Sequence, residues 1–448
     1  MVRNTSVLDE RKQSIIDRAA VCTGDGKGIS CDKTSVSGAV SQRACVFSGA
    51  RVVLNPITDA YHIIHGPIGC ASYTWDIRGS LTSGADTFRT SYSTDLRETD
   101  VIFGGEKKLA AAIDELVEKE SAKLIFVYAT CIVGVIGDDI VAICKQAEVK
   151  YGIRVLPVKA SGFSGTKSQG YKLACDAIMQ LISPYKDIPK TDGINILGDF
   201  NLAGEMWLIK NYMKKIGVNV VSTATGDANY ETLLKMPSAK LNIVQCAGSS
   251  MYLANRLEEE MGIPFIKVSF FGAEDTSASL LRIAQALGDE QAVQKALAFA
   301  AVETAKAEAF LENYRPRFCG KKAAIYVGGG FKAISLIKQF NEMGIETVVV
   351  GTQTGKAEDY EIIEQLVGPG TVILDDANPS ELEEYMLAKK ADILVGGVKE
   401  RPLAYKLGIA FCDHNHERKH ALAGFEGIRN FTQEVNLSLG SPVWEYCR

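Results

Sequence analysis

No apolar run in the 448 residues reaches the ~18 positions that a membrane-spanning helix needs, so no membrane partner is expected. The opening stretch MVRNTSVLDERKQS lacks the apolar centre of a secretory signal, and the expected location is the cytoplasm. Basic residues are not in excess: 49 Lys and Arg face 54 Asp and Glu, for a net charge of −5. Nucleic acid, which is bound through a basic face, is therefore not an expected partner. Histidine is scarce, at 5 residues, and three of them crowd into HNHERKH as His414, His416 and His420. That loop reads either as a metal site or as a solvated loop. The glycine-rich turn VGGGFK (327–332) has the spacing of neither a Walker loop nor GxGxxG. It is open to two readings, a tight strand–helix turn or a backbone cradle for an anion. No nucleophile elbow brings Ser, His and Asp together, which removes the common hydrolase designs.

Cysteine, by contrast, is plentiful, with 11 residues. In a reducing compartment these are buried thiols or metal ligands rather than disulfides. Cys45 and Cys70 lie 25 positions apart in CVFSGA…HGPIGCASYTWDIRGS. Pro67 and Gly69 force a non-helical turn just before Cys70. Cys131 closes the apolar run LIFVYAT, and Cys246 closes LNIVQC. Both thus stand at strand ends, where open α/β sheets bind ligands. A cubane iron–sulfur cluster takes four thiolates, and Cys45, Cys70 and Cys131 offer three. Their spacing alone is not specific, because three cysteines in separate loops are often structural. Cys144 and Cys175 fall within helical patterns and read as packing residues. Cys22 and Cys31, in a Gly/Ser/Lys-rich loop, match no zinc spacing.

The composition, 46% hydrophobic and 23% charged, is that of a globular protein with a large core. LDERKQSIIDRAA (8–20) reads as an amphipathic helix, and Glu106–Glu120 as another, with Leu109, Ile113 and Leu116 on one face. Strand and helix then alternate: 123–130, 138–152, 153–158 and 170–182. Short continuous apolar strands of this kind belong to parallel sheets covered on both faces. SPYKDIPKTDG (183–193) and RPRFCGKK (315–322) read as linkers. INILGDFNLAGEMWLIKNYMKKIGVNVV (194–221) and AIYVGGGFKAISLIKQFNEMGIETVV (324–349) share one strand–turn–helix–Gly–strand plan. The repeat predicts duplicated doubly wound domains. The expected division is 1–190 as an N-terminal cluster-binding domain, 191–318 as a middle domain carrying Cys246, and 319–412 as a third. Residues 413–448 would be a C-terminal segment packing back on the first.

Taken together, CVFSGARVVLNPITDAYHIIHGPIGCASYTWDIRGS, ETDVIFGGEKKLAAAIDEL, ATCIVGVIGDDI, LNIVQC and AGFEGIRNFTQEVNLSLGSPVW resemble the nitrogenase component 1 family, from about Cys45 to Trp444. The resemblance implies three doubly wound, mainly parallel α/β domains around a metallocluster crevice. It implies that Cys45, Cys70 and Cys131 hold a [4Fe–4S] cluster shared with a β-like partner subunit in an α2β2 heterotetramer. Cys246 would hold one end of a large iron–sulfur cofactor, here an 8Fe precursor, with Arg78 and Lys332 beside it. The family's catalytic α chain carries a histidine before its GF-acidic-G motif; this chain has Ala423. The histidine pair that follows the motif resembling GFSG (162–165) is also missing, the stretch reading SQGYKLA. The resemblance therefore implies a scaffold for cofactor assembly, with no catalytic residues of its own. Its further partners would be a reducing iron protein, a precursor-cluster donor and the catalytic component 1. The competing reading is the α subunit of a nitrogenase-like reductase. The related reductases of chlorophyll synthesis share the three cluster cysteines but hold no large cofactor, and Cys246 argues against them.

Overall fold

A computed structural model describes residues 9–17, 29, 44–74, 90–415 and 418–446. They fall into two compact units, one of residues 44–268 and 283–292, the other from 1–43, 269–282 and 293–448. The first described strand, β1 (Ile15–Asp17), follows a 3-10 turn at Asp9–Ser14. Of the helix expected over 8–20, Asp9–Ser14 forms a 3-10 helix and Ile15–Asp17 a strand instead. Tertiary pairing outweighs the helical period here: Ile15 and Ile16 pair antiparallel with Leu374 and Ile373 of the third sheet. Arg11 clamps the turn through Glu381, at 3.0 Å from both Nε and Nη2, and through the Asp375 carbonyl at 2.7 Å.

In the unit of 44–268 the chain runs through α1 (Val46–Leu54), β2 (Tyr61–His65), α2 (Ile68–Thr74), β3 (Ser91–Ser93), α3 (Glu98–Phe103) and α4 (Glu106–Glu120). It continues through β4 (Leu124–Ala129), α5 (Cys131–Ile136), α6 (Ile140–Tyr151), β5 (Arg154–Lys159) and α7 (Lys167–Ile182). The four strands form a parallel sheet in the order β3-β2-β4-β5. All six residues of β4 are buried, as a strand covered on both faces requires. Leu109, Ile113 and Leu116 of α4 are buried as their spacing predicts.

The second parallel sheet of this unit is built from β6 (Ile194–Leu197), α8 (Glu205–Ile216), β7 (Val220–Ala224), α9 (Tyr230–Lys235), β8 (Leu241–Val244), α10 (Ala247–Met261) and β9 (Phe265–Lys267), in the order β7-β6-β8-β9. One apolar core joins the two sheets, and α7 lies within it against α1 and α10. Glycines make the α1–α7 approach possible. A Cβ on Gly49 would overlap the Lys167 carbonyl, and one on Gly170 the Val46 carbonyl.

Helices α11 (Ala273–Leu287), α12 (Glu290–Glu312) and α13 (Arg315–Phe318) precede the third sheet. That sheet comes from β10 (Lys322–Val327), α14 (Gly330–Met343), β11 (Glu346–Thr352), α15 (Ala357–Leu366), β12 (Val372–Asp375), α16 (Pro379–Lys389), β13 (Ile393–Gly396), α17 (Arg401–Lys406) and β14 (Ala410–Asp413). Its order is β1-β12-β11-β10-β13-β14, parallel except for β1. Helix α18 (Gly424–Leu439) packs on β14, where Ser438 Oγ donates to the Phe411 carbonyl at 2.9 Å, and α19 (Val443–Tyr446) follows. The repeat seen in the sequence corresponds to β6-α8-β7 and β10-α14-β11. Each helix of the pair ends on a left-handed glycine, Gly217 or Gly344, the residue that accepts this conformation without strain. Among the described residues, no helix is long and apolar enough to cross a membrane.

Candidate metal centre

Each sheet reverses its direction of growth once, between β2 and β4, between β6 and β8, and between β10 and β13. The crevice beyond the carboxyl ends of such neighbouring strands is where doubly wound sheets take ligands. The first reversal carries Cys70 and Cys131, in the turns after β2 and β4. The second carries Cys246 after β8, and the third carries Lys332 after β10.

At the first, three thiols converge. Cys45 is the N-cap of α1, Cys70 lies in the first turn of α2, and Cys131 opens α5. The amide of Gly162 donates to Cys131 Sγ at 3.1 Å. A Cβ on Gly162 would sit 2.8 Å from that sulfur and 3.6 Å from Cys45 Cβ, so only a glycine fits between them. Cys45 is tied in by a bridge to Thr166. Burial pushes the Cys70 thiol up, and the nearby thiols of Cys131 and Cys45 push it further, against a hydrogen bond with Thr130. A thiol whose ionisation two neighbouring thiols oppose is suited to a polycation. Among the described residues no three His, Cys, Asp or Glu side chains close on a single ion. A cubane presents a separate iron to each thiolate and needs the wider arrangement.

The two turns are locked to each other by His65. Its Nε2 lies 3.0 Å from Asp138 Oδ2, and its Nδ1 3.1 Å from Thr94 Oγ1. Its carbonyl accepts from Thr130 Oγ1 at 3.0 Å. Asp138 accepts from the Gly105 amide at 3.1 Å. Burial pushes the His65 imidazole down, although the Asp138 hydrogen bond acts the other way. Sequence reasoning missed His65, Asp138 and Gly162. The His of HGPIGC was visible, but its partners lie 29 and 73 residues away.

Cys246 stands apart from these three, as the N-cap of α10 on the second sheet. Gly198, at the end of β6, leaves room for it: a Cβ there would come within 3.0 Å of Cys246 Cβ and 2.9 Å of its amide. Cys246 stands at the head of a 15-residue helix, the end that carries the unpaired backbone amides. Lys332 lies in the first turn of α14, where Nζ donates to the His414 carbonyl and to Asn415 Oδ1, the latter at 3.3 Å. Arg78, Cys22, Cys31, His416 and Cys447 lie outside the described residues.

The HNHERKH loop is not uniformly solvated. His420 is exposed, but His414 is fully buried between the edges of Phe271 and Phe431, with centroids at 5.3 and 5.4 Å. Burial holds its imidazole well below the usual range, so it is neutral. Cys144 and Cys175 are packing residues: both are buried in helices, and burial pushes each thiol up to about 12.

Known proteins match this chain over nearly its whole length. Residues 45–439 match the model of the nitrogenase component 1 type oxidoreductase family. The nitrogenase iron–molybdenum cofactor biosynthesis protein NifE of Clostridium pasteurianum is 64% identical over 445 residues, covering 99% of this chain and 98% of that one. NifE of Methanosarcina barkeri is 52% identical, covering 98% and 97%. Among solved structures, nitrogenase Cp1 at pH 6.5 superposes with a TM-score of 0.89 at 28% identity, over 98% of this chain and 96% of that one.

Proposed function

Because the chain belongs to the nitrogenase component 1 type oxidoreductase family, we propose that it is the α-like subunit of a scaffold on which the nitrogenase iron–molybdenum cofactor is built. The relatives' role in cofactor biosynthesis supports this reading. The observation that carries it is the half-site of Cys45, Cys70 and Cys131. Three thiols at helix starts suit a [4Fe–4S] cluster, and the fourth thiolate comes from a β-like subunit of the NifN type. Two such pairs make an α2β2 heterotetramer. The proposed domains are 1–190, 191–318 and 319–412, with 413–448 as a C-terminal segment, although Ile15–Asp17 of the first pairs in the third sheet.

Cys246 is the anchor for the second group, an 8Fe iron–sulfur precursor, because thiolate is the soft ligand that iron takes. The family resemblance assigns Lys332 and Arg78 to the same cofactor. The precursor is the scaffold's cargo: it accepts metal and homocitrate and then leaves for the catalytic component 1. Ala423, the N-cap of α18, has no metal-binding atom. A cargo held at one end by one thiolate is exchangeable, whereas one held at both ends is retained. A reducing iron protein and a precursor-cluster donor complete the partner set.

The test is to produce the chain with its β-like partner without oxygen and to count iron and sulfide. Cys246→Ala should lose the large cluster and keep the cubane signal, while Cys144→Ala should keep both. Equal iron in Cys246→Ala and the unaltered protein would sink the anchor. The same complex, given mature cofactor, iron protein and ATP, should yield little or no ammonia. Ammonia at the rate of a catalytic component would favour the reductase reading.

A further inference from the structure

The middle of α1 carries a cation that the half-site described above does not use. Arg51 is fully buried, at 0% exposure. Its Nη2 donates to Ser91 Oγ at 2.9 Å, and its guanidinium carbon lies 5.4 Å from the centre of the Tyr128 ring. Among the described residues, Nε and Nη1 meet no hydrogen-bond acceptor. No carboxylate of the described residues opposes its charge; the titratable group that interacts with it is Tyr128, a phenol. Among the described residues, the groups facing it are neutral. From β2, His62 stacks on Tyr128 at 5.9 Å, and its Nδ1 lies 2.9 Å from the Tyr128 hydroxyl. Burial, and next Arg51 itself, keep His62 well below the usual imidazole range. From β4, burial raises the Tyr128 phenol, so it stays protonated. From β3, Ser91 is a hydroxyl.

An unpaired charge removed from water costs several kcal/mol unless something opposite compensates it. Guanidinium does not escape by losing its proton. Compensation must therefore act through space, and the chain shows where it lies. Arg51 is six residues after Cys45 on one helix, a rise of roughly 9 Å. Its partner Tyr128 lies near the end of β4, three residues before Cys131 at the start of α5, a span of at most roughly 10 Å. Both paths lead to the thiol half-site.

We propose that Arg51 is the buried counter-charge of the interface cubane, and that it holds the cluster's reduction potential up. The inference rests on the reading of Cys45, Cys70 and Cys131 as cubane ligands. A cubane bound by four thiolates is already an anion, and one-electron reduction adds a further negative charge without breaking a bond. Net charge and burial are among the factors that set such potentials. A fixed cation at this range favours the reduced form. The uncharged hydrogen-bonding groups around Arg51 do not contribute in that way.

The experiment is a dithionite titration of the complex with its β-like partner, with the cubane's EPR signal followed in the unaltered protein, Arg51→Met and Arg51→Lys. At the potential that half-reduces the unaltered cluster, Arg51→Met should show a reduced-to-oxidised ratio lower on the order of tenfold. That is the size expected of one charge about 10 Å away at an effective dielectric of about 20. Arg51→Lys keeps the charge and should titrate close to the unaltered protein. Coincident curves for Arg51→Met and the unaltered protein overturn the proposal. Should Arg51→Met hold no cluster, Arg51→Lys decides. A cluster retained with Lys supports a need for charge. Loss in both variants alike means that shape matters instead, and overturns the proposal. A complex with no cubane signal before any substitution removes the ligand reading, and this inference with it.

Discussion

Glu400 shows how one side chain can set a pH limit on this fold. It follows β13, is 2% exposed, and accepts the Gly397 amide at 2.7 Å through Oε2, while Oε1 has no partner. Burial pushes its carboxyl up to about 7, against the pull of the Gly397 and Glu400 amides. The folded chain therefore keeps this proton at pH values where the unfolded chain has lost it. The sign follows from that: stability from Glu400 is fully present below the ordinary carboxylate range and is lost as pH rises through about 7. Buried His62 and His414 act the other way. Their imidazoles are held well below the ordinary value, so their contribution is present above about pH 6.5 and lost as pH falls. Glu400→Gln keeps an acceptor for Gly397 and cannot ionise. It should raise the urea midpoint of the cluster-free chain at pH 8, by up to roughly 3 kcal/mol of stability, with little gain at pH 5. A gain that is equal at both values would mean that the carboxyl is not what titrates.

At the scale of elements, two glycines separate stability from cluster binding. Gly170 lets α7 lie against α1, where a Cβ would overlap backbone atoms of Val46, Gly49 and Ala50. Gly170→Ala must push the helices apart, and overpacking of this kind costs roughly 1–3 kcal/mol. Gly162 instead leaves room only for Cys131 Sγ and Cys45. Gly162→Ala should fold with an unchanged melting temperature and carry less iron, whereas Gly170→Ala should melt earlier. Reversed outcomes would dissociate Gly162 from the thiols. These elements also show what sequence can reveal. The strands were legible because a buried parallel strand is a continuous apolar run, as in LIFVYA and INIL. Cys131 and Cys246 were legible for the same reason, since each ends such a run. Gly162 was not, because its partners are brought to it by folding and lie 31 and 117 positions away in sequence. Arg51 reads in sequence as an ordinary polar break in an apolar helix; only its burial gives it meaning. Residues 8–20 misled because an isolated period of apolar positions cannot register the strand β12 that waits to pair with Ile15 and Ile16.

At the scale of the whole molecule, the half-site looks unfinished in a way that names its missing neighbour. Large apolar side chains stand in solvent on the elements around the three thiols. Ile68 and Tyr73 are on α2, Phe103 on α3 is 85% exposed, Val135 is on α5, and Phe163, beside Gly162, is 66% exposed. Helix α3 packs on α5, and a Cβ on Gly134 of α5 would lie 3.6 Å from the Phe163 ring. These residues therefore belong to one region of the unit, not to scattered surface sites. Single exposed apolar residues are ordinary, but a contiguous group marks a surface that another protein covers. Interfaces draw much of their binding energy from a few aromatic anchors near their centre. A partner that covers Phe103 and Phe163 would also exclude water from the thiols and bring its own thiolate to the fourth iron. Phe103→Asp combined with Phe163→Asp should leave the circular dichroism of the chain unchanged, because neither ring is buried in the core. It should abolish co-purification with the β-like partner, and the cubane signal should go with it although all three cysteines remain. Leu437→Asp, 72% exposed on α18 in the other unit, should change neither. A double variant that still co-purifies and still shows the full cubane signal would mean that the fourth ligand does not arrive across this surface.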